Sequence, residues 1–222
     1  MTIFLFYDKT IYQGGRLQSK LDKQASGKNE EIARILNKVY NHFKEGLFEE
    51  ASVLLEKALQ IDFEYKGVTS TLKCATFWKE RKRQLPEITG KYEKAEFIFS
   101  HWKQFSSFIS QVGEPSERCV YNIKQYIFGT ALGYYLEILD ASGYYDGEVL
   151  LKVGRCYKAI GDYDNAVKYL GLANQQLGQS SQILAELGDC YSLVNEVRIS
   201  KALFREAFFV DPGDIDLDML ES

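Results

Sequence analysis

The chain has 222 residues, of which 45% are hydrophobic and 14% are aromatic, and only three are prolines. This composition predicts a folded core along nearly the whole chain and excludes extensive disorder. The formal net charge of -4 argues against a nucleic-acid binder and against a polybasic membrane-surface protein, because both depend on excess positive charge.

The four cysteines lie far apart in the sequence, at Cys74, Cys119, Cys156 and Cys190. No CxxC pair is present and the chain has only two histidines, so we expect no metal site and no cofactor. A chain with this much apolar material does not need disulfides. We therefore expect buried, reduced thiols and a cytoplasmic location.

Residues 1–28 are expected to be an N-terminal arm, and the polar stretch after Gly14-Gly15 permits it to be flexible. Its apolar run from Ile3 to Tyr7 is too short for a signal-peptide core or a membrane span, and charged Asp8 follows at once. We expect neither a leader nor a membrane-spanning segment here.

The sequence of residues 29–64 predicts two helices separated by a break at Gly46. Ala51, Leu55 and Ala58 recur at three- and four-residue spacing, which places them on one face of the second helix. The acidic pair Glu49-Glu50 falls in the first turn of that helix, where it interacts favourably with the helix dipole.

The sequence of residues 65–145 predicts helices with irregular lengths and connections. A helix near Tyr65 to Arg83 is interrupted at Leu85-Pro86, and another begins at Gly90. Residues 115–140 are apolar enough for one long buried helix or for two short helices that meet near Gly129, and the sequence leaves both open. The basic cluster Lys79 to Arg83 is interpreted as solvated cations at a helix C-terminus.

The C-terminal third contains an internal repeat. LLKVGRCYKAIGDYDNAVKYLGLA from Leu150 aligns with LAELGDCYSLVNEVRISKALFREA from Leu184, a shift of 34 residues. The aligned pairs are Gly154 and Gly188, Cys156 and Cys190, Tyr157 and Tyr191, Ala166 and Ser200, Leu170 and Phe204, and Ala173 and Ala207. Small residues at Gly154 and Ala166 predict a close helix contact, so Gly154→Leu or Gly188→Leu should cost about 1–3 kcal/mol.

The repeat length, the order glycine, tyrosine, alanine, leucine or phenylalanine, alanine, and the closing Pro212 resemble the tetratricopeptide repeat (TPR) motif. The resemblance implies an all-α fold, an α-α superhelix of about five helix pairs with an irregular middle. It implies a repeat domain over 29–222, with clear repeats at 29–64, 147–180 and 181–214. Asp214, Asp216 and Asp218 then fall where another repeat would begin, and they lack the glycine and the glutamate of a calcium loop.

No catalytic motif accompanies the repeats. The sequence has no Gly-rich phosphate loop, no HExxH and no GxSxG, and the only imidazoles are His42 and His101. Packing or surface positions account for both histidines. We expect that the protein is not an enzyme.

The resemblance implies a non-catalytic protein–protein interaction scaffold or adaptor that binds a protein segment on its concave face. The first helices of the repeats would line that face, which makes the candidate binding residues Tyr40, Lys44, Glu148, Arg155, Lys158, Gln182 and Asp189. The Lys and Asn set with which TPR co-chaperones grip a terminal carboxylate is not assembled here. Two alternatives stay open: self-association as a subunit of a larger assembly, and a small ligand held near Tyr121 to Tyr135.

Overall fold

The computed structural model describes residues 7–113, 115–142 and 146–220, and within these ranges the regular elements are helical. The nine α-helices there are α1 (Tyr7–Lys44), α2 (Phe48–Ile61), α3 (Val68–Gln84), α4 (Lys91–Val112), α5 (Glu117–Ser142), α6 (Gly147–Ile160), α7 (Tyr163–Leu177), α8 (Ser181–Leu193) and α9 (Val197–Val210). After α9, residues 211–220 form the C-terminal segment, which contains two short 3-10 turns at Pro212–Asp214 and Leu217–Met219. The prediction of an all-α fold is confirmed.

Neighbouring helices pack in pairs, α1 with α2, α3 with α4, α6 with α7, and α8 with α9. The irregular middle contributes one long helix rather than a pair, because α5 runs without a break past Gly129. α5 packs against both α4 and α6 and also contacts α1. The side-chain amide of Gln125 donates to the carbonyl oxygen of Ile160 at 3.0 Å, and the hydroxyls of Tyr40 and Ser116 are 2.9 Å apart. These bonds tie the two halves of the chain together.

The predicted arm boundary at residue 28 lies inside α1, so the helical backbone shows no break at that point. Residues 1–6 lie outside the described residues. Independent motion of the arm stays a prediction.

The α6–α7 pair has the close contact that its small residues predict. Ala166, Leu170 and Ala173 are fully buried along α7. A Cβ atom placed on Gly154 would lie 2.7 Å from Cγ of Leu170 and 3.0 Å from its backbone nitrogen. Since real Cβ atoms do not approach other atoms so closely, glycine at 154 sets the distance between these two helices.

The turns inside three of the pairs share a backbone conformation. Gly46 and Gly161 have φ of +72° and +85°, and Asn195 occupies the equivalent position in the last pair with φ of 64°. Glycine takes this left-handed conformation without a steric penalty, and asparagine tolerates it better than most residues do. The 34-residue repeat is therefore preserved in the backbone even where its glycine is replaced.

The basic cluster at the end of α3 is structural. The Lys82 ammonium donates to the carbonyl oxygen of Gly46 at 2.7 Å, and Arg83 pairs with Glu49 at 3.0 Å. The Arg81 guanidinium lies 3.3 Å from the centroid of the Phe77 ring. Lys82 and Arg83 hold α3 against the turn between α1 and α2 and the start of α2. The helix then stops at Gln84, just before Pro86, as predicted.

The hydrophobic core runs continuously from α1 to α8, and a smaller cluster lies beside it under the C-terminal segment. The smaller cluster contains Leu184, Ala185 and Ala207, against which Ile215 and Leu220 pack. All four cysteines are buried and unbridged, as expected. Burial raises the pKa of the Cys156 thiol well above its ordinary value.

Candidate functional site

A groove of about 760 Å³ lies between α4, α5 and α6, and Asp216 and Met219 of the C-terminal segment complete its lining. Among the described residues that line it, five are cationic, Lys103, Lys124, Lys152, Arg155 and Lys158, and two are acidic, Glu96 and Asp216. We call it the cationic groove. The net charge of its lining is positive, whereas the net charge of the whole chain is -4.

The α4 side of the groove follows from helical spacing. Phe99, Trp102, Lys103 and Ser106 stand at offsets of zero, three, four and seven, so they share one face of the helix. Phe128 of α5 meets this face edge-on, with its ring centroid 5.5 Å from that of Phe99 and 5.2 Å from that of Trp102. The three rings form an apolar wall beside the cations.

Lys152 of α6 pairs with Glu96 of α4 across the groove, with 3.0 Å between Nζ and Oε1. The buried Tyr135 hydroxyl donates to the same carboxylate at 2.5 Å. Burial, reinforced by this bond to Glu96, raises the pKa of Tyr135 above its ordinary value. Tyr135 and Lys152 together hold the Glu96 carboxylate in place.

Arg155 of α6 reaches to α8 and binds the carboxylate of Glu186, whose side chain is 0% exposed. Two guanidinium nitrogens, Nη2 and Nε, donate to Oε1 at 2.6 and 2.9 Å. The side-chain amide of Gln182 donates to the same oxygen at 2.9 Å. A buried carboxylate needs such partners, because without them its desolvation is not compensated.

Lys158 forms a second pair between the same two helices. Its ammonium, on a side chain that is 3% exposed, binds the carboxylate of Asp189 at 2.9 Å. The same ammonium donates to the backbone carbonyl of Met219 at 2.5 Å. The buried cation therefore connects α6, α8 and the C-terminal segment.

The C-terminal segment is also held by polar contacts to α8. The Asp216 backbone N–H donates to the side-chain oxygen of Gln182 at 2.5 Å, and the Ser181 hydroxyl donates to the Asp214 carboxylate at 2.9 Å. Leu217, by contrast, is 74% exposed. The segment thus lies on the protein as an irregular strap with two short 3-10 turns rather than as another α-helix.

The structure brings four of the predicted binding residues together: Arg155, Lys158, Gln182 and Asp189 meet where α6, α8 and the C-terminal segment converge. Lys158 and Asp189 are buried there, and Arg155 and Gln182 are half-buried. The other three predicted residues lie elsewhere in the fold. The prediction that these seven residues contact a partner stays a prediction.

Of these three, Tyr40 is buried on α1, where its hydroxyl bonds with Ser116, and the Arg118 guanidinium lies 5.1 Å from its ring centroid. Lys44, at the end of α1, and Glu148, in the first turn of α6, are exposed.

Sequence reasoning missed the α4 side of the groove, in particular Lys103, and it missed the docking of the C-terminal segment. The spacing of Phe99, Trp102 and Lys103 on one helix face was the available signal. The repeat resemblance directed attention to first helices, whereas α4 is the second helix of its pair.

None of the described helices combines the length and the apolar composition that crossing a bilayer requires. The protein-family model for the tetratricopeptide repeat matches residues 147–179, which cover α6 and α7. A search of curated proteins finds no match. Among solved structures, the one titled "MamA MSR-1 C2" is similar to this chain with 12% sequence identity and a TM-score of 0.38, over 82% of this chain and 97% of that chain. Tetratricopeptide repeats are typically non-catalytic protein-interaction modules.

Proposed function

We propose, from the premise that this chain is a tetratricopeptide repeat protein, that it is a non-catalytic scaffold whose cationic groove holds a segment of another protein. The observation that supports the proposal most is the composition of the groove. Cations from three helices surround an aromatic wall in a chain that is acidic as a whole. Aromatic and arginine side chains are the residues that most often anchor a bound protein.

The geometry favours a partner segment that carries carboxylates next to apolar side chains. Lys152, Arg155 and Lys158 already pair with carboxylates of this chain, but Lys103 is exposed at the groove. A carboxylate of the partner would gain from this excess of cations, while an apolar side chain would cover the rings of Phe99 and Trp102. Electrostatic matching of this kind selects the partner more than it adds affinity.

The proposal is tested with the double variant Lys103→Glu, Ser106→Glu, which reverses the charge at one exposed groove position and adds a negative charge at a second, without touching a buried pair. A matched control is Lys57→Glu, Gln60→Glu, which makes the same charge change at the same spacing on exposed positions of α2. Each full-length protein serves as bait in lysate of the source organism, and the retained proteins are quantified by mass spectrometry. We expect at least one protein to be retained by the wild type and the control, and to fall at least about tenfold with the groove variant. Equal retention by all three would contradict the proposal.

A second candidate function is self-association through α9. Phe208 and Phe209 are 63% and 79% exposed, and apolar side chains exposed side by side are typical of an interaction surface. Sedimentation velocity at several concentrations measures this directly. A mass that rises with concentration in the wild type, but not in Phe208→Ser, Phe209→Ser, supports self-association, and a constant monomer mass contradicts it.

A further inference from the structure

The C-terminal segment is chemically a ligand of the kind that the cationic groove fits. From Asp214 to Asp218 its sequence alternates carboxylates with apolar residues, Asp-Ile-Asp-Leu-Asp, and Met219 and Leu220 follow. Without Asp216, which belongs to the segment, the groove lining has five cationic side chains and one carboxylate, Glu96. The buried carboxylates Glu186 and Asp189 neutralise two of these cations, which leaves an excess of two positive charges. The segment lies at this excess, because Asp216 lines the groove and the backbone carbonyl of Met219 accepts a hydrogen bond from Lys158.

The segment is bound mainly through its backbone and two apolar anchors. The Lys158 ammonium donates to the backbone carbonyl of Met219, and the side-chain oxygen of Gln182 accepts from the backbone N–H of Asp216, so both contacts are open to another chain of different sequence. The anchors Ile215 and Leu220 are only half-buried on the small apolar cluster of α8 and α9. No α-helix or disulfide among the described residues fixes the segment in place. These are features of a contact that another segment is able to replace.

We propose that residues 211–220 are an intramolecular ligand of the groove, and that the partner binds through a segment of the same chemistry, alternating carboxylates and apolar side chains, which displaces them. The inference rests on the proposed function and adds the class of the partner and the regulation of the site. A tethered segment competes at a high effective concentration, of order millimolar for a short flexible connection. Only a partner segment that binds more tightly, or one that is itself held nearby, displaces it.

The experiment uses a synthetic peptide with the sequence of residues 211–220, labelled with fluorescein at its N-terminus, and measures its binding to the full chain by fluorescence anisotropy. The double variant Ile215→Ala, Leu220→Ala weakens the hold on the tethered segment. We expect the peptide to bind this variant at least about tenfold more tightly than it binds the wild type, because the tethered competitor is released. Affinity for both proteins should fall as sodium chloride is raised.

Three controls make the result specific. A peptide with Asp214, Asp216 and Asp218 changed to Asn should lose most of its affinity, since the cations then have no carboxylate to bind. The chain variant Val53→Ala, Phe63→Ala removes two exposed apolar side chains elsewhere and should bind the peptide as the wild type does. If the double variant melts near the assay temperature, Ile215→Ala alone should show a smaller gain in the same direction.

Equal affinity for the wild type and the released variant would overturn the inference, as would undetectable binding to both, and the C-terminal segment would then be a structural cap of α8 and α9. These outcomes are distinguishable from a failure of the proposed function. If lysate proteins depend on Lys103 and Ser106 while the peptide does not bind, the scaffold stands and the intramolecular ligand fails. If the peptide binds as expected but no retained protein depends on the groove, the proposed function fails.

Discussion

Arg155 and Lys158 lie one helical turn apart on α6, and both reach carboxylates of α8 that are 0% exposed. The sequence predicts that both are solvated residues of a first helix that contact a partner. In the structure they satisfy Glu186 and Asp189, which would otherwise be buried charges without compensation. Both side chains therefore act within the fold, and Lys158 also holds the C-terminal segment through the carbonyl of Met219.

Removal of one member of the Arg155–Glu186 pair should lower the free energy of unfolding much more than removal of both. Arg155→Met leaves a buried carboxylate with only Gln182 to donate to it, and we expect a loss of about 3 kcal/mol in the free energy of unfolding. Arg155→Met combined with Glu186→Leu should recover most of that loss, because neither charge remains buried. Urea denaturation at pH 7 measures both. A double variant as unstable as the single one would show that the pair is not the cause.

The aligned glycines of the two C-terminal repeats should respond differently to alanine. At Gly154 the new Cβ would lie 3.0 Å from the backbone nitrogen of Leu170, which cannot rotate away. At Gly188 it would lie 3.2 Å from the ring of Phe204, which is only partly buried and has room to shift. Alanine also gains about 1 kcal/mol over glycine in a helix.

We therefore expect Gly154→Ala to destabilise by about 1–2 kcal/mol and Gly188→Ala to be nearly neutral. Thermal or urea unfolding of the two variants ranks them, and Gly171→Ala serves as a control because a Cβ there meets nothing within 4 Å. A larger loss at 188 than at 154 would contradict the assignment of the closer helix contact.

At the scale of the element, three helices begin in the same way but only one of them is capped. The residues before α2, α7 and α9 are Leu47, Asp162 and Glu196, with φ and ψ of -84° and 62°, -89° and 76°, and -85° and 61°. Asp162 accepts a hydrogen bond from the backbone N–H of Asn165 at 3.2 Å, and the other two side chains accept none. The backbone at Glu196 is thus already arranged for a capping side chain.

Glu196→Asp should stabilise the protein by about 1 kcal/mol, since the shorter carboxylate is able to reach the first free N–H groups of α9. Asp162→Ala should cost a similar amount at α7. Glu196→Gln is the control, because it removes the charge without shortening the side chain. We expect it to give no gain in stability. Thermal unfolding followed by circular dichroism measures all three, and a gain with glutamine equal to that with aspartate would contradict a capping effect.

At the scale of the whole molecule, α5 distinguishes this chain from a simple linear array. In a repeat array each unit contacts its neighbours, so a local change stays local. Here α5 contacts α1 as well as α4 and α6, and thus connects the first pair to the third. Arg118 of α5 also donates to the side-chain oxygen of Asn37 at 2.6 Å.

Hydrogen exchange should report this connection. Gly188→Leu, at the end of the array, should speed exchange in α8 and α9 and leave α1 and α2 as protected as before. Ile123→Ala, at a fully buried position of α5, should speed exchange in both α1 and α6. Mass spectrometry of peptic fragments measures each helix separately. If Ile123→Ala affects only one side of α5, the two halves are not coupled through it.

The predictability of this molecule from its sequence varied with the kind of interaction. Buried stripes such as Ala166, Leu170 and Ala173 were predicted correctly, because helical spacing alone places them on one face. The burial of Lys158 was not predicted, since a charged side chain on an amphipathic helix reads as solvated. Its burial depends on Asp189 in the next repeat and on Met219 beyond α9, and neither contact has a local signature.

By itself the sequence determined the helical class, the 34-residue repeat and the close contact at Gly154, because periodicity and residue size act between positions near in the chain or aligned by the repeat. Only the tertiary structure decided that α5 is one unbroken helix, Glu117–Ser142, in contact with both α1 and α6, that α4 supplies an aromatic wall to a cationic groove, and that the C-terminal segment lies against it. These features depend on how helices distant in the chain are placed in space. Charge and burial at each residue then follow from the neighbours that this placement provides.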